Sequence, residues 1–561
     1  MNSRTSMTCA RFIAETLHGY GVSHVFYIDA ILRHTLVELE RLGVQRIVTH
    51  SEKAAAYMAD GYARISGRPG VCMAQSVGAA NMAAGLQDAY LGCSPVIALT
   101  GCKPPLFQHR NAYQEIVHGP LYQPVTKYNV NVVAAGQLPF YLRQAFREVT
   151  SGKPRPAHLD LLGARAEVLE QAAIDSQPVV EESYTRYPSA RPAPDPEQVR
   201  LAAQALARAS RPVIVAGGGV RISGAGPEIV RLAEKLSVPV ATSVNGKGSI
   251  PENHPLCAGV VGSYSRWCAN RIVAEADLVI YVGSHTGDQV TYDWQIPTPG
   301  TPVVQIDIDP SELGKSYPNT VGVLGDTRVA LEHLADCLDG QGSHARWVAR
   351  AQAWVREWEA EYEPLLTSAA IPIRPERLCQ ELSDVLPPEA ILVSDTGYSA
   401  IWTATMIRLT DPRQTFIRAA GSLGWAFPAA LGARCAAPQR PVICFTGDGG
   451  FLYHMGELET ASRYGITTVT IVNNNSGLGQ CIPGVHAAYG DRSGDKESLY
   501  RFRQTNYARI AKEMGCVGIR VEAPQEIAPA VRRALASSRP VVIDVVTDLN
   551  AEAPTPWRPA R

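Results

Sequence analysis

Cysteine pairing is the first thing the 561-residue sequence lacks: its 12 cysteines are scattered, with no C-x-x-C and no zinc-type spacing. That excludes a zinc ribbon and a dense disulfide framework. Most of them, Cys72 and Cys444 included, sit inside apolar runs and read as small buried hydrophobes of a reducing compartment. An excess of one charge is lacking too, because 52 Lys and Arg face 53 Asp and Glu. Such a balance offers no footprint for nucleic acid or an anionic membrane surface. No apolar run reaches the ~18 residues of a membrane span without a charge or a breaker. Residues Met1 to Thr8 carry no apolar signal core. The expectation is a cytoplasmic protein that acts on a small-molecule substrate, with no nucleic acid and no membrane among its partners.

What is present is ample apolar material: 46% hydrophobic and 19% charged residues suffice for large cores. The length calls for three or four domains at roughly 150 residues each. Short β-rich runs alternate with helical ones from the start. Val25–Ile28, Gln45–Thr49, Val71–Ala74 and Pro95–Gly101 read as strands, and residues 7–21, 31–42 and 53–65 as helices. Ser76 to Asn81 reads as a small-residue loop before a helix from Met82 to Tyr90. The alternation restarts at Pro212, where Gly217–Gly219 reads as a structural turn, and again after residue 372. The fold class is therefore α/β, with three doubly wound parallel-sheet domains. The expected boundaries are an N-terminal domain over 1–175, a proline-rich linker over 176–198 and a central domain over 199–340. A linker helix over 341–371, entered by a soft break at Asp339–Ser343, a C-terminal domain over 372–549 and a tail over 550–561 follow. Gly67-Arg-Pro-Gly-Val-Cys-Met and Gln439-Arg-Pro-Val-Ile-Cys-Phe open similar stretches, which suggests that the first and third domains share a topology.

One stretch carries chemistry. The apolar run Pro441–Phe445 ends in Thr446-Gly447-Asp448-Gly449-Gly450, a helical run covers Tyr453–Tyr464, and the β-rich run Thr467–Val472 ends in Asn473-Asn474-Asn475. Asp448 and Asn475 lie 27 residues apart, the length of one helical crossover between parallel strands. Ligands bind at that carboxyl edge of open α/β sheets. Magnesium wants hard oxygen ligands completed by phosphate and water. A carboxylate from Asp448, an amide oxygen from Asn475 and a backbone carbonyl at Gly477 would supply them, while Gly449 and Gly450 let backbone N–H groups approach a diphosphate. Gly-Asp-Gly alone reads as a tight turn; its placement between two apolar strands favours the metal site.

Gly447-Asp448-Gly449 with Asn474-Asn475 resembles the thiamine diphosphate motif, and the likeness extends through the chain. His50-Ser-Glu52, Gly61-Tyr-Ala-Arg64, Thr100-Gly-Cys-Lys-Pro104, Ala112-Tyr-Gln-Glu115, Thr126-Lys127, Ile306-Asp-Ile-Asp-Pro310 and Gly421–Gly432 are similar to the acetolactate synthase large subunit and its relatives. The resemblance implies a pyrimidine-binding first domain, a central domain and a diphosphate-binding third domain. Glu52 would hydrogen-bond the cofactor's aminopyrimidine, Leu423 would force its bent form, and Gly421 would offer a carbonyl to the exocyclic amine. Asp395, Gly397, Tyr398 and Ser399 would wrap the diphosphate, and Gln114 would line the substrate side.

The implied activity is that of a thiamine diphosphate- and magnesium-dependent lyase or carboligase. It would cleave a 2-oxo acid by decarboxylation and transfer or protonate the resulting enamine. A relative that takes acyl-coenzyme A or sulfonated aldehydes is the alternative within the superfamily, and a basic pocket in the central domain would favour the thioester. A non-catalytic cofactor-binding or regulatory protein is the alternative of another class. The family also implies a homodimer or homotetramer with active sites at subunit interfaces. Three departures stand out. The loop after Phe26, Tyr27-Ile-Asp-Ala-Ile31, is shortened and lacks Pro-Gly-Gly; Ser76-Val-Gly-Ala79 replaces Ser-Gly-Pro-Gly; and Gly283–Gln289 lacks the arginine associated with flavin, which puts FAD in doubt. His109, His118 and His454 read as structural, with substrate contact as the alternative.

Overall fold

The computed structural model describes residues 6–318, 320–338 and 344–559, so the soft break at Asp339–Ser343 lies outside the described residues. Three six-stranded parallel sheets with helices between their strands form the framework, as the alternating pattern implied. The first sheet runs, in space, Gln45–Val48, His24–Tyr27, Gly70–Ala74, Val96–Cys102, Ala157–Leu162, Tyr128–Val132. The third runs Thr415–Arg418, Ile391–Ser394, Val442–Gly447, Val469–Asn474, Val541–Val546, Val517–Val521. Counted in chain order within each sheet, both are 2-1-3-4-6-5. The middle sheet, which begins with Pro212–Ala216, is ordered 3-2-1-4-5-6.

Helices on both faces of each sheet bury the inner strands completely, and this explains their unbroken apolar runs. Ile443, Cys444 and Phe445 are wholly buried, as are Ile97 and Ala98. The same burial explains a correction. Ser76–Asn81 is not a loop; it is the first turns of a helix over Ser76–Leu91. Its buried positions are mostly small residues, Ser76, Gly78, Ala79 and Ala83, while Val77 is exposed, so no amphipathic stripe marks it as helical. The helical run after Asp448 is in turn two short helices, Asp448–His454 and Glu457–Arg463. Gly217 caps a short helix over Gly218–Ser223, and the long helix before the third sheet spans Ala345–Leu366. No helix among the described residues is long and apolar enough to cross a membrane.

The first and third sheets share one apolar core, in which Tyr57, Met58 and Met82 meet Trp425, Phe427 and Phe451. Its centre is the crossing of the Glu52–Ser66 and Ala426–Ala436 helices. A Cβ on Gly61 would overlap the carbonyl of Ala429, and one on Gly432 would overlap the carbonyl of Met58. Each helix thus gives up a side chain where the other's backbone passes. The two helices occupy the same position in their domains, since each follows the second strand of its sheet.

Candidate active site

The Val442–Gly447 and Val469–Asn474 strands pair in parallel with Gly447 beside Asn473, so Asp448 and Asn475 leave the sheet side by side. Asp448 opens the Asp448–His454 helix and is almost fully buried. Its Oδ1 accepts the Gly449 N–H at 2.9 Å and its Oδ2 the Gly477 N–H at 3.1 Å. That same Gly477 N–H lies 3.1 Å from Asn475 Oδ1. Two side-chain oxygens therefore converge on one backbone group. No donor among the described residues bonds the Gly477 carbonyl.

Burial pushes the Asp448 carboxyl up to about 7, against the pull of the backbone N–H groups. Among the described residues no three His, Cys, Asp or Glu side chains could hold a metal by themselves. The donor set is instead one carboxylate, one amide and one backbone carbonyl, which suits magnesium finished by phosphate oxygens. The cradle around it is built from glycines. A Cβ on Gly449 would come 2.7 Å from Leu478, and one on Gly450 2.9 Å from the Asp395 carboxylate. A Cβ on Gly447 would reach Ser399 Oγ at 3.4 Å, and one on Gly397, at φ 72°, would reach Gln480 Oε1 at 3.4 Å. A Cβ on Gly479 would lie 3.3 Å from both Asn475 and Tyr398. The loops after three adjacent strands, 395–399, 447–450 and 475–480, thus close on one spot.

Asp395 itself turns inward. Its carboxylate accepts the N–H groups of Thr396 (2.8 Å) and Gly424 (3.0 Å) and the Thr446 hydroxyl (2.9 Å), and burial raises it to about 6. A part in holding diphosphate would fall to Gly397, Tyr398 and Ser399 around it. Gly421 and Leu423 lie in the loop between the Thr415–Arg418 strand and the Ala426–Ala436 helix. That loop is held from outside its own domain. Asp88, buried on the Ser76–Leu91 helix, accepts the Ala420 N–H at 2.7 Å and the Ser422 N–H at 3.0 Å. Nothing in the local sequence marks Asp88, since its partners lie 332 and 334 residues away.

Glu52 stands elsewhere. It opens the Glu52–Ser66 helix, and its Oε2 accepts from Asn81 Nδ2 at 3.3 Å. A Cβ on Gly78 would lie 2.5 Å from its Oε1, so the Val77-Gly78 variant of that turn leaves the carboxyl its space. Gln114, at φ 61°, takes the Ser76 hydroxyl on its carbonyl and so joins the same helix end. Among the described residues Glu52 is bonded within its own domain, while its neighbours reach the third domain: Lys53 lies over the Tyr453 ring and the His50 N–H donates to Glu457. The shortened loop is closed by an exposed Asp29–Arg33 pair at 2.9 Å. Of the histidines, His109 is exposed, His454 is buried against Tyr57 and lowered to about 4 by burial, and His118 is buried with Nδ1 3.1 Å from Asp160.

A separate cavity of about 200 Å³ opens at the carboxyl edge of the middle sheet, beside Gly218, Gly219 and Gly283. It lies where the strand order reverses, between Pro212–Ala216 and Leu278–Val282. A Cβ on Gly219 would come 2.7 Å from Gly283, so the glycine run serves close packing of the two turns. The Gly283–Gln289 stretch lines the cavity without an arginine of its own, but Arg221 and Arg418 line it from other elements. Arg418 donates to Asn245 at 2.9 Å and to Gln289, both neutral, and burial lowers it to about 10. Arg221 is lowered by burial as well, and its Nε has no partner. Among the described residues neither the half-buried Arg221 nor the buried Arg418 has a bonded carboxylate, and this favours an anionic occupant.

Similarities to known proteins bear on these sites. Residues 7–121 match the thiamine pyrophosphate enzyme N-terminal TPP binding domain, 199–334 its central domain, and 395–545 its C-terminal TPP binding domain. The chain is 34% identical to a probable acetolactate synthase large subunit of Methanocaldococcus jannaschii, over 97% of this chain and 92% of that protein. It is 32% identical to another from Methanococcus aeolicus, over 95% and 90%. It is 30% identical to a putative thiamine pyrophosphate-containing protein of Bacillus subtilis, over 98% and 93%.

Proposed function

The chain belongs to the thiamine pyrophosphate enzyme family, and from that premise we propose a magnesium-dependent carboligase or lyase of acetolactate synthase type that cleaves a 2-oxo acid. The observation that carries it is the meeting of Asp448 Oδ2 and Asn475 Oδ1 at one N–H, above a glycine cradle at the carboxyl ends of adjacent strands. When bound, thiamine diphosphate supplies an acidic thiazolium carbon that adds to a carbonyl and takes up the charge left by the breaking bond. Asp448, Asn475 and the Gly477 carbonyl would hold the magnesium, and the Gly449 and Gly450 N–H groups would face the diphosphate. Glu52 would share a proton with the pyrimidine ring, where hydrogen bonding in a desolvated cleft is strong. Gly421 would accept from its amine, Leu423 would shape it, and Gln114 would face the substrate. Dependence on both magnesium and thiamine diphosphate of carbon dioxide release from a panel of 2-oxo acids tests this reading; no turnover of any donor, thioesters included, by the loaded protein would leave only a binding protein.

The resemblance to the family supports an assembly of at least two copies, with Glu52 of one copy facing Asp448 of another. The loop that carries Gln114 adds to this. Leu106 and Tyr113 on it are 73% and 81% exposed, with Phe107 and Val117 also bare, an apolar surface that a second copy would cover. Mixing Glu52→Gln with Asp448→Ala subunits should restore activity that neither variant has, because some mixed interfaces hold both intact halves. No recovery after verified subunit exchange would place the site within one chain.

The cavity in the middle domain supports a second reading, a phosphate-bearing group such as that of FAD or coenzyme A held by Arg221 and Arg418. Flavin absorbance in the purified protein would identify the first, and binding of coenzyme A that Arg221→Ala abolishes would identify the second and bring the thioester alternative forward. Binding of neither leaves the 2-oxo acid reading standing alone.

A further inference from the structure

The loop with Gly421 and Leu423 belongs to the third domain, yet much of what fixes it comes from the first domain of the same chain. Arg64 Nη1 donates to the Arg418 carbonyl at 2.7 Å, where the loop begins. Asp88 accepts the Ala420 and Ser422 N–H groups, one on each side of Gly421. Gln87 adds a bond to the Ser422 hydroxyl at 3.3 Å. Asp60 accepts the Trp425 indole N–H at 2.9 Å, where the loop ends. The three charged residues are themselves joined. Arg64 grips both oxygens of Asp60 at 2.7 Å, lies 3.5 Å from Asp88, and stacks on the Trp425 ring at 4.6 Å. All three are buried. Among the described residues, the Gly424 N–H is the loop group held by a carboxylate of its own domain, Asp395.

We propose that Asp88, backed by Arg64 and Asp60, is a positioning residue that aims the Gly421 carbonyl and the Leu423 side chain at the cofactor's pyrimidine. This rests on the reading of Gly421 and Leu423 given above. The geometry argues for aim rather than simple attachment. Two N–H groups that flank one residue are received by the two oxygens of one carboxylate, and this sets the orientation of the peptide between them. A carboxylate can accept both bonds at once, whereas an amide presents one acceptor and one donor. The diphosphate cradle, by contrast, draws nothing from Asp88. Its loss should therefore leave anchoring intact and disturb activation.

The test uses the full chain with thiamine diphosphate and magnesium. Asp88→Asn should bind the cofactor with unchanged affinity, while deuterium exchange at the thiazolium carbon slows about 10- to 100-fold, the scale expected for a misplacement near 1 Å. A purely structural tie would lower the melting temperature and leave exchange in the loaded enzyme at its normal rate, and that result overturns the proposal. If Asp88→Asn does not fold, Trp425→Phe decides. It keeps a ring in the core, removes the bond to Asp60 and trims the indole on which Arg64 stacks; slowed exchange supports the positioning role and normal exchange refutes it. Glu52→Gln measured in parallel separates two failures. Fast exchange in Glu52→Gln overturns the cofactor reading and this proposal with it. Slow exchange there, with fast exchange in Asp88→Asn, overturns the positioning role alone.

Discussion

The first and third domains are the same scaffold put to different uses. Both sheets run 2-1-3-4-6-5, and both carry a glycine-notched helix after the second strand, packed on its counterpart. At the carboxyl edge they part. The first domain places a carboxyl, Glu52, at the start of that second helix. The third leaves the equivalent helix start to Trp425 and Ala426 and puts its polar groups after the third and fourth strands, at Asp448 and Asn475. Paired scaffolds supply the frame, and the choice of connection decides where each domain places its polar groups.

The sharpest way to break that division is at Glu52. Glu52→Gln should hold thiamine diphosphate as the parent does and slow thiazolium exchange about 10²- to 10⁴-fold, the span of general acid–base catalysis; normal exchange would take activation away from the first domain. Next is the anchor. Asp448→Ala should weaken cofactor retention by more than about 100-fold, beyond what the loss of an outer-shell partner costs, as read by titration with magnesium present. Parent-like affinity would remove the third domain from that task. The shared frame comes third. Gly61→Ala and Gly432→Ala push a Cβ into the opposing backbone from either side, and each should cost about 1–3 kcal/mol. Thermal melts of the two variants should match, and a large difference between them would show that the crossing is not equivalent from its two sides. The smallest effect separates neighbours. Asn474 donates to the Thr505 carbonyl at 2.9 Å and to Asp544 at 2.8 Å, so Asn474→Ala should cost about 1 kcal/mol of stability with cofactor affinity intact. Asn475→Ala should do the reverse, and loss of cofactor in the Asn474 variant would reassign the ligand.

The meeting of Asp448 and Asn475 was legible because both sit within one strand–helix–strand crossover, where spacing along the chain translates directly into position on the sheet edge. Glu52 was legible only through resemblance, since a lone glutamate at a helix start has an ordinary use beside the helix dipole. The turn around Gly78 was misread for want of an amphipathic stripe, and the helix it begins is the one that carries Asp88. The middle cavity shows the same limit from another side. Gly283–Gln289 lacks an arginine, and the positive charge arrives instead from Arg221 and Arg418 on separate elements.

By itself the sequence determined the α/β class, the repeated scaffold and the pairing of Asp448 with Asn475 at one sheet edge, because apolar periodicity and short-range spacing are properties of neighbouring residues. Only the tertiary structure decided which carboxylates hold the Gly421 loop and how the Gly61 and Gly432 helices cross. Those depend on groups hundreds of residues apart, brought together by burial of a common core that no local pattern records.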